Sequence, residues 1–234
     1  MLPYFYIDQF NARQQSIVLD EDTSKHIVQV LRMKKGEKIN LTDGKGNLLT
    51  VEIEDEHKKH CGVSIIDKQF ISAPASAITI AVSLIKNTSR FEWFLEKATE
   101  IGVQSVIPLI CERTETEKFR ADRMKNILVS AMLQSQQSWL PVLRDPVSFT
   151  QAIEDAIEEQ KFIAHCIDSD KKQLADEINF LSHSKIILIG PEGDFTPQEI
   201  DLALKNNFKP VTLGDTRLRT ETAALVAATV LKFH

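Results

Sequence analysis

Two segments near the C-terminal end combine residue types that can do chemistry. The first, Ile187-Leu188-Ile189-Gly190-Pro191-Glu192-Gly193-Asp194-Phe195, is an apolar run that breaks into a glycine turn carrying carboxylates. The second, Leu213-Gly214-Asp215-Thr216-Arg217-Leu218-Arg219-Thr220-Glu221-Thr222-Ala223-Ala224, sets arginines and acids between a strand end and an alanine-rich stretch. Each reads as strand, loop, then helix. Ligands of open α/β sheets collect where such loops leave the carboxyl ends of strands, and glycine lets a ligand approach the backbone closely. Neither segment is a phosphate cradle. Gly-x-x-x-x-Gly-Lys-Ser/Thr and Gly-x-Gly-x-x-Gly are both missing, which argues against ATP, GTP and NAD.

Other chemistry is thinly supported. His57-Lys58-Lys59-His60-Cys61 offers metal-ligand types, but a strand would set His57 and His60 on opposite faces. With no second cluster to complete a site, no metal is expected. His165 and Cys166 fall in a predicted buried strand without a nucleophile elbow, so His165 is expected to be packed rather than catalytic.

The elements that must position these loops follow from periodicity. Ala77–Ile85, Val103–Cys111, Phe162–Ile167, Lys185–Ile189 and Val211–Leu213 read as strands. Between them lie helical patterns on Phe91, Phe94, Leu95, Ala98 and Ile101, closed by Gly102, and on Met124, Ile127, Leu128, Ala131 and Met132. A further helix carries Phe149, Ala152, Ile153, Ala156 and Ile157 inward, a shorter one surrounds Leu174 and Ile178, and Thr220–Phe233 forms the last. Ser89 to Glu92, Ser148 to Gln151 and Thr196 to Glu199 read as capping boxes, the last with Pro197 at the first helical position. Alternation of this kind implies a parallel sheet covered by helices on both faces.

The first seventy or so residues differ. Short apolar runs at Ser16–Leu19, Lys38–Thr42, Leu48–Ile53 and Cys61–Ile66 are divided by turn signals, of which Asp43-Gly44 is the clearest, and His26 to Met33 is helical. These strands suggest a small barrel. Ser72-Ala73-Pro74-Ala75-Ser76 marks the boundary, giving domains 1–72 and 73–234.

Composition bounds the rest. The chain has 234 residues, 43% hydrophobic and 26% charged, which suits a globular core. No apolar run approaches a membrane span, and the first residues lack the pattern of a signal peptide. Cys61, Cys111 and Cys166 read as reduced, buried thiols. The expected setting is the cytoplasm. Residues 151–181 hold eight acids against three bases and so account for the whole net charge of −5. Basic patches can therefore form elsewhere: Lys25, Arg32, Lys34, Lys35 and Lys38 in one, Lys118, Arg120, Arg123 and Lys125 in another.

Taken in order, the motifs resemble the ribosomal RNA uridine-N3 methyltransferase family (RsmE-like) of the SPOUT class. His26-Ile27-Val28-Gln29-Val30-Leu31-Arg32-Met33 resembles its N-terminal signature and Lys97-Ala98-Thr99-Glu100-Ile101-Gly102-Val103 its central helix. Gly190-Pro191-Glu192-Gly193 and Leu218-Arg219-Thr220-Glu221-Thr222-Ala223 resemble its two cofactor loops. The resemblance implies a PUA-like β-barrel for RNA contact, a C-terminal α/β domain with a parallel sheet and a deep trefoil knot, and a homodimer. It also implies that S-adenosylmethionine is held by Leu188, Gly190, Pro191, Glu192, Gly193, Leu213, Gly214, Leu218, Thr220 and Ala223. The implied substrate is a uridine of 16S rRNA in the small ribosomal subunit.

Uridine N3 becomes a good nucleophile only as its proton leaves and charge spreads to O2 and O4, where a fixed cation lowers the barrier. Arg219 is the candidate cation, with Glu221 or Glu192 as proton acceptor. Lys25, Arg32, Lys34 and Lys35 are expected to grip phosphates, extended by Arg90, Arg113, Arg120 and Arg123. Three positions, in two stretches, depart from the family pattern. Asp194 stands where a second glycine is usual, and Leu133 and Gln137 stand where a Glu and an Arg are common. The rival readings are an RNA-binding assembly factor without turnover and a knotted methyltransferase acting on transfer RNA.

Overall fold

The computed structural model describes residues 2–167, 170–179 and 181–233. The chain forms two compact units, Met1–Ala73 with Met132–Leu140, and Pro74–Ala131 with Pro141–His234.

In the first unit, β1 (Tyr4–Tyr6), β2 (Ser16–Val18), β3 (Lys38–Thr42), β4 (Asn47–Asp55) and β5 (Gly62–Phe70) form one sheet in the order β1-β3-β4-β5-β2. β1 runs parallel to β3 and the other pairs are antiparallel. Leu49, Val51 and Ile53 alternate inward along β4, as a half-buried strand requires. They meet Ile39, Leu41, Val63 and Ile27 in a single core. Helix α1 (Glu21–Lys25) is capped by the Asp20 carboxylate, which accepts from Thr23 N at 2.8 Å. It widens into a π-type turn over His26–Val30, and Arg32 follows in the left-handed region at φ +57°.

The segment 132–140 completes this unit. Trp139 Nε1 donates to the Ile71 carbonyl at 2.8 Å, Gly46 N to the Ser138 carbonyl at 2.8 Å and Leu140 N to the Gly44 carbonyl at 2.8 Å. Gly46, at φ +94°, is required here. A Cβ would fall 2.7 Å from the Trp139 ring and 2.8 Å from the Ile71 carbonyl.

The second unit carries β6 (Ala77–Ser83), α2 (Thr88–Ile101), β7 (Ser105–Ile110), α3 (Ala121–Gln134), β8 (Val142–Leu143), β9 (Val147–Ser148) and α4 (Phe149–Glu154). There follow β10 (Gln160–Ala164), β11 (Lys172–Gln173), α5 (Leu174–Glu177), β12 (Ser184–Ile189), α6 (Pro197–Lys205), β13 (Lys209–Thr212) and α7 (Thr220–Phe233). The strands run in the order β11-β13-β10-β12-β6-β7-β8, with β9 also on β7, and every pair is parallel. Strands β6 and β12 are mostly apolar and buried along nearly their whole length, as a doubly covered parallel sheet demands. The small Ala224, Ala227 and Ala228 of α7 are fully buried, and α7 packs on α2 and β6.

Local chemistry departs from the sequence reading at several places. The Ser89–Glu92 box does not form. Helix α2 begins two residues earlier, with Asn87 as its cap accepting from Ser89 N at 3.1 Å, and Glu92 is drawn instead to Arg123. Ser148 caps α4, but Gln151 turns to Asp155 at 2.9 Å, so that box is half made. Thr196–Glu199 forms in full. Ile157 is 91% exposed rather than inward, because α4 ends at Glu154 and the helical period stops there. Cys166 is exposed rather than buried, since β10 ends at Ala164 and leaves it in a loop. His57 and His60 occupy a turn, not a strand, and their rings stack at 3.8 Å. Among the described residues no group of His, Cys, Asp or Glu is arranged to hold a metal, and no helix is long and apolar enough to cross a membrane.

Candidate functional site

Three adjacent strands of the second unit, β13, β10 and β12, end side by side in parallel register. Their carboxyl ends open into the segments 213–219, 165–167 with 170–171, and 190–196. These loops enclose two hollows with common walls. One, of about 390 Å³, is lined by Ala164, His165, Cys166, Lys171, Ala223 and the run from Val211 to Leu218. The other, of about 290 Å³, is lined by Ala164, Cys166, Asp194, Ala223, the run from Ile189 to Glu192 and the run from Arg217 to Thr220. Five residues line both: Ala164, Cys166, Arg217, Leu218 and Ala223. Such a strand-end cleft is the usual place for a small ligand in an open parallel sheet.

The loops are bound to one another. Thr220, at the start of α7, donates its hydroxyl to the Gly190 carbonyl at 3.0 Å. Arg217 reaches the Glu192 carbonyl at 3.4 Å, and Arg113 donates to the Gly193 carbonyl at 2.7 Å. Gly190 packs under Phe195, where a Cβ would lie 3.2 Å from the ring and from the Phe195 amide. Lys171 bridges the carbonyls of His165 and Ile167 at 2.7 and 2.6 Å. Asp194 adopts the left-handed conformation at φ +63° that glycine would take. Its carboxylate accepts from Cys166 N at 2.8 Å and from Phe195 N at 2.9 Å.

Most residues expected at the cofactor site lie in this cleft: Gly190, Pro191, Glu192, Thr220, Leu218 and Ala223 in the smaller hollow, Leu213 and Gly214 in the larger. Two do not. Leu188 is buried in the core between sheet and helices, and Gly193 lies outside, against Arg113. Arg219 lines the smaller hollow with an exposed side chain that enters no ion pair among the described residues. Glu221 lines neither hollow. It is buried one residue into α7, with its carboxylate 3.6 Å from Arg90, so the two act as a pair.

The expected RNA residues are divided among several places. In the first unit Lys25 and Arg32 are exposed and outside any ion pair among the described residues, while Lys34 and Lys35 lie 3.5 and 3.7 Å from Glu56 and Glu54. In the second unit Arg120 is exposed, Arg113 braces the Gly193 turn, and Arg123 forms a double contact with Glu92. That hydrogen-bonded guanidinium holds the Glu92 carboxyl below its ordinary range.

Sequence reasoning missed Ala164, Cys166, Lys171, Asp194 and Arg217 as cleft residues, and it expected His165 to be merely packed. His165 is buried and its Nδ1 has no partner among the described residues. Burial and then the nearby Lys171 ammonium push its pKa down. The only available signal was position, since Ala164 to Cys166 close a strand beside the two glycine loops. The cleft suits a zwitterionic, cationic nucleoside. Its donors and acceptors include strand-end backbone, the Glu192 carboxylate, and the guanidiniums of Arg217 and Arg219.

Comparison with known proteins agrees with this geometry. Residues 72–232 match the model of an RNA methyltransferase domain, and residues 19–66 match that of an RNA methyltransferase PUA domain. A probable rRNA-methyltransferase from Porphyromonas gingivalis superposes with a TM-score of 0.91 at 36% identity, covering 99% of this chain and 98% of that one. The ribosomal RNA small subunit methyltransferase E of Neisseria gonorrhoeae, solved with S-adenosyl methionine bound, gives 0.88 at 29% identity over 99% and 97%. The Synechocystis protein of the same name is 28% identical over 222 residues, 92% of this chain and 72% of its own length. With its cleft at the ends of β13, β10 and β12 and its PUA-type strands, the chain belongs to the RNA methyltransferase family.

Proposed function

We propose that this protein methylates N3 of a uridine in 16S rRNA, using S-adenosylmethionine held in the strand-end cleft. The observation that carries the reading is the pair of hydrogen-bonded loops, Gly190–Glu192 and Leu213–Thr220, around hollows that expose backbone and charge of both signs. The same fold with bound S-adenosyl methionine in the Neisseria protein supports it. A deep trefoil knot through these loops, a homodimer and a cytoplasmic setting belong to the same reading.

The cofactor supplies an electrophilic methyl group on a sulfonium. Everything else falls to the chain, and for an in-line displacement most of that is alignment. The glycine loops fix the donor's orientation through short backbone paths. In this scheme the Arg219 guanidinium, which lines the smaller hollow, offsets the negative charge that spreads over the uracil carbonyl oxygens as N3 loses its proton. Glu192 lines the same hollow with an exposed carboxylate and is the proton acceptor in this scheme. Glu221 serves instead as the anchor of Arg90. The exposed Lys25 and Arg32 grip phosphates, and shape and splayed bases of the folded RNA select the nucleotide.

The test is mass spectrometry of small-subunit rRNA from a strain lacking the gene, with and without its return on a plasmid. One 3-methyluridine should vanish and reappear. An unaltered rRNA beside a lost methyl group in transfer RNA would replace the substrate assignment. Failure of calorimetry to detect S-adenosylmethionine binding would remove the catalytic reading altogether.

A further inference from the structure

Among the described residues of the cleft, Asp194 combines a left-handed backbone with a carboxylate whose two oxygens both accept from backbone amides. At φ +63° an aspartate is tolerated but strained relative to glycine, at a cost that its hydrogen bonds must offset. One bond, from Phe195 N at 2.9 Å, is local and closes the turn. The other, from Cys166 N at 2.8 Å, crosses from the loop after β12 to the loop after β10, spanning 28 residues of sequence. Cys166 and, two residues before it, Ala164 line both hollows, so this bond fixes the wall that the two hollows share. The Lys171 ammonium holds the same segment through the His165 and Ile167 carbonyls. A glycine at 194 would relieve the strain but leave the Cys166 amide without its acceptor.

We propose that Asp194 is a positioning residue for the methyl donor, a latch that holds the His165–Ile167 loop against the Gly190–Asp194 loop and so sets the cleft in its binding shape before the ligand arrives. The proposal rests on the reading of this cleft as the S-adenosylmethionine site. It makes affinity depend on a carboxylate where a backbone turn alone would have sufficed for the fold. Asparagine at 194 tolerates the same backbone region, but its NH2 group, a donor, replaces one of the two oxygens that accept from Phe195 N and Cys166 N, so one of the two bonds is lost. Glycine keeps the turn and satisfies neither.

The test compares the full chain with Asp194→Asn and Asp194→Gly by calorimetry with S-adenosylmethionine and with S-adenosylhomocysteine, and by amide hydrogen exchange at Cys166 without ligand. Expected is a graded loss for both ligands: a few-fold for the asparagine variant and about tenfold or more for the glycine variant, the scale of a lost charge-assisted hydrogen bond. Cys166 exchange should speed up in the same order, while the thermal midpoint of the ligand-free glycine variant stays within a few degrees of the parent. Should the glycine variant not fold, the asparagine variant decides by the same two readouts. Unchanged affinity in a folded variant whose Cys166 amide exchanges faster would overturn the latch and leave the cofactor site standing. Absence of binding by the parent protein would instead remove the cofactor reading on which the latch depends.

Discussion

The Thr220 hydroxyl donates to the Gly190 carbonyl at 3.0 Å and thereby joins the first turn of α7 to the glycine turn after β12. The two residues are 30 apart in sequence, and both line the smaller hollow. Because Thr220 is buried, its loss leaves a carbonyl with no ready water. Thr220→Val, which keeps the shape, should lower stability by about 1–2 kcal/mol in denaturant unfolding and weaken S-adenosylmethionine binding several-fold by calorimetry. Equal affinity in the variant would mean that the loops keep their spacing without this bond.

Arg219 and Glu192 share the same hollow and should fail differently. Arg219→Ala is expected to abolish methylation of 30S subunits while cofactor affinity stays within a few-fold of the parent. Glu192→Gln should slow single-turnover transfer about a hundredfold, the typical contribution of a general base, and a raised pH should recover part of the rate. Undiminished transfer by either variant removes that residue from the scheme.

Gly46→Ala tests the seam made by Trp139. The added methyl meets the indole and the Ile71 carbonyl at distances no side chain tolerates, on a backbone already at positive φ. A loss of at least about 2 kcal/mol is expected in urea titrations. Fluorescence of Trp139 should report a wetter ring.

A pH effect on stability follows from His165. Its folded pKa lies below the ordinary value of 6.5, so the unfolded chain takes up the proton first as pH falls. The native state is therefore favoured fully above 6.5 and loses ground between there and the depressed folded value. Glu92 acts in the same sense but lower, since its folded pKa lies under the ordinary 4.5. Between pH 7 and pH 5 the parent should lose more stability than His165→Gln. Parallel curves for the two proteins would show that the imidazole is not the group responsible.

The three thiols should separate by reactivity. Cys61 and Cys111 are buried, and burial pushes Cys111 up to about 12. Cys166 is exposed in the cleft. A thiol reagent should therefore modify one cysteine quickly in the native protein, at 166 by peptide mapping, and S-adenosylmethionine should slow it.

Much of this site was legible from residue order. Period-two and period-3.6 patterns give the strands and helices, and Gly190-Pro191-Glu192-Gly193 with Leu218 to Ala223 point to the cleft. What escaped was whatever depends on partners distant in sequence. Glu92 reads as half of a capping box with Ser89, yet Arg123, 31 positions on, offers it a double charged contact and wins. Glu221 reads as a base beside Arg219, yet the start of a helix turns neighbouring side chains in different directions, and Arg90 takes it. Asp194 reads as a missing glycine. Only the fold reveals that its carboxylate has an amide to hold on the next strand's loop.

The assignment of Met132–Leu140 to the first unit also bears on how such a protein can be inherited. A gene fragment ending near codon 73 encodes all five strands yet omits the indole that seals them. Exchange of the first unit with an unrelated gene by a single crossover would thus strand a tryptophan in one product and leave an open seam in the other. A working chimera needs two exchanges at once, which favours descent of the two modules as one indivisible unit.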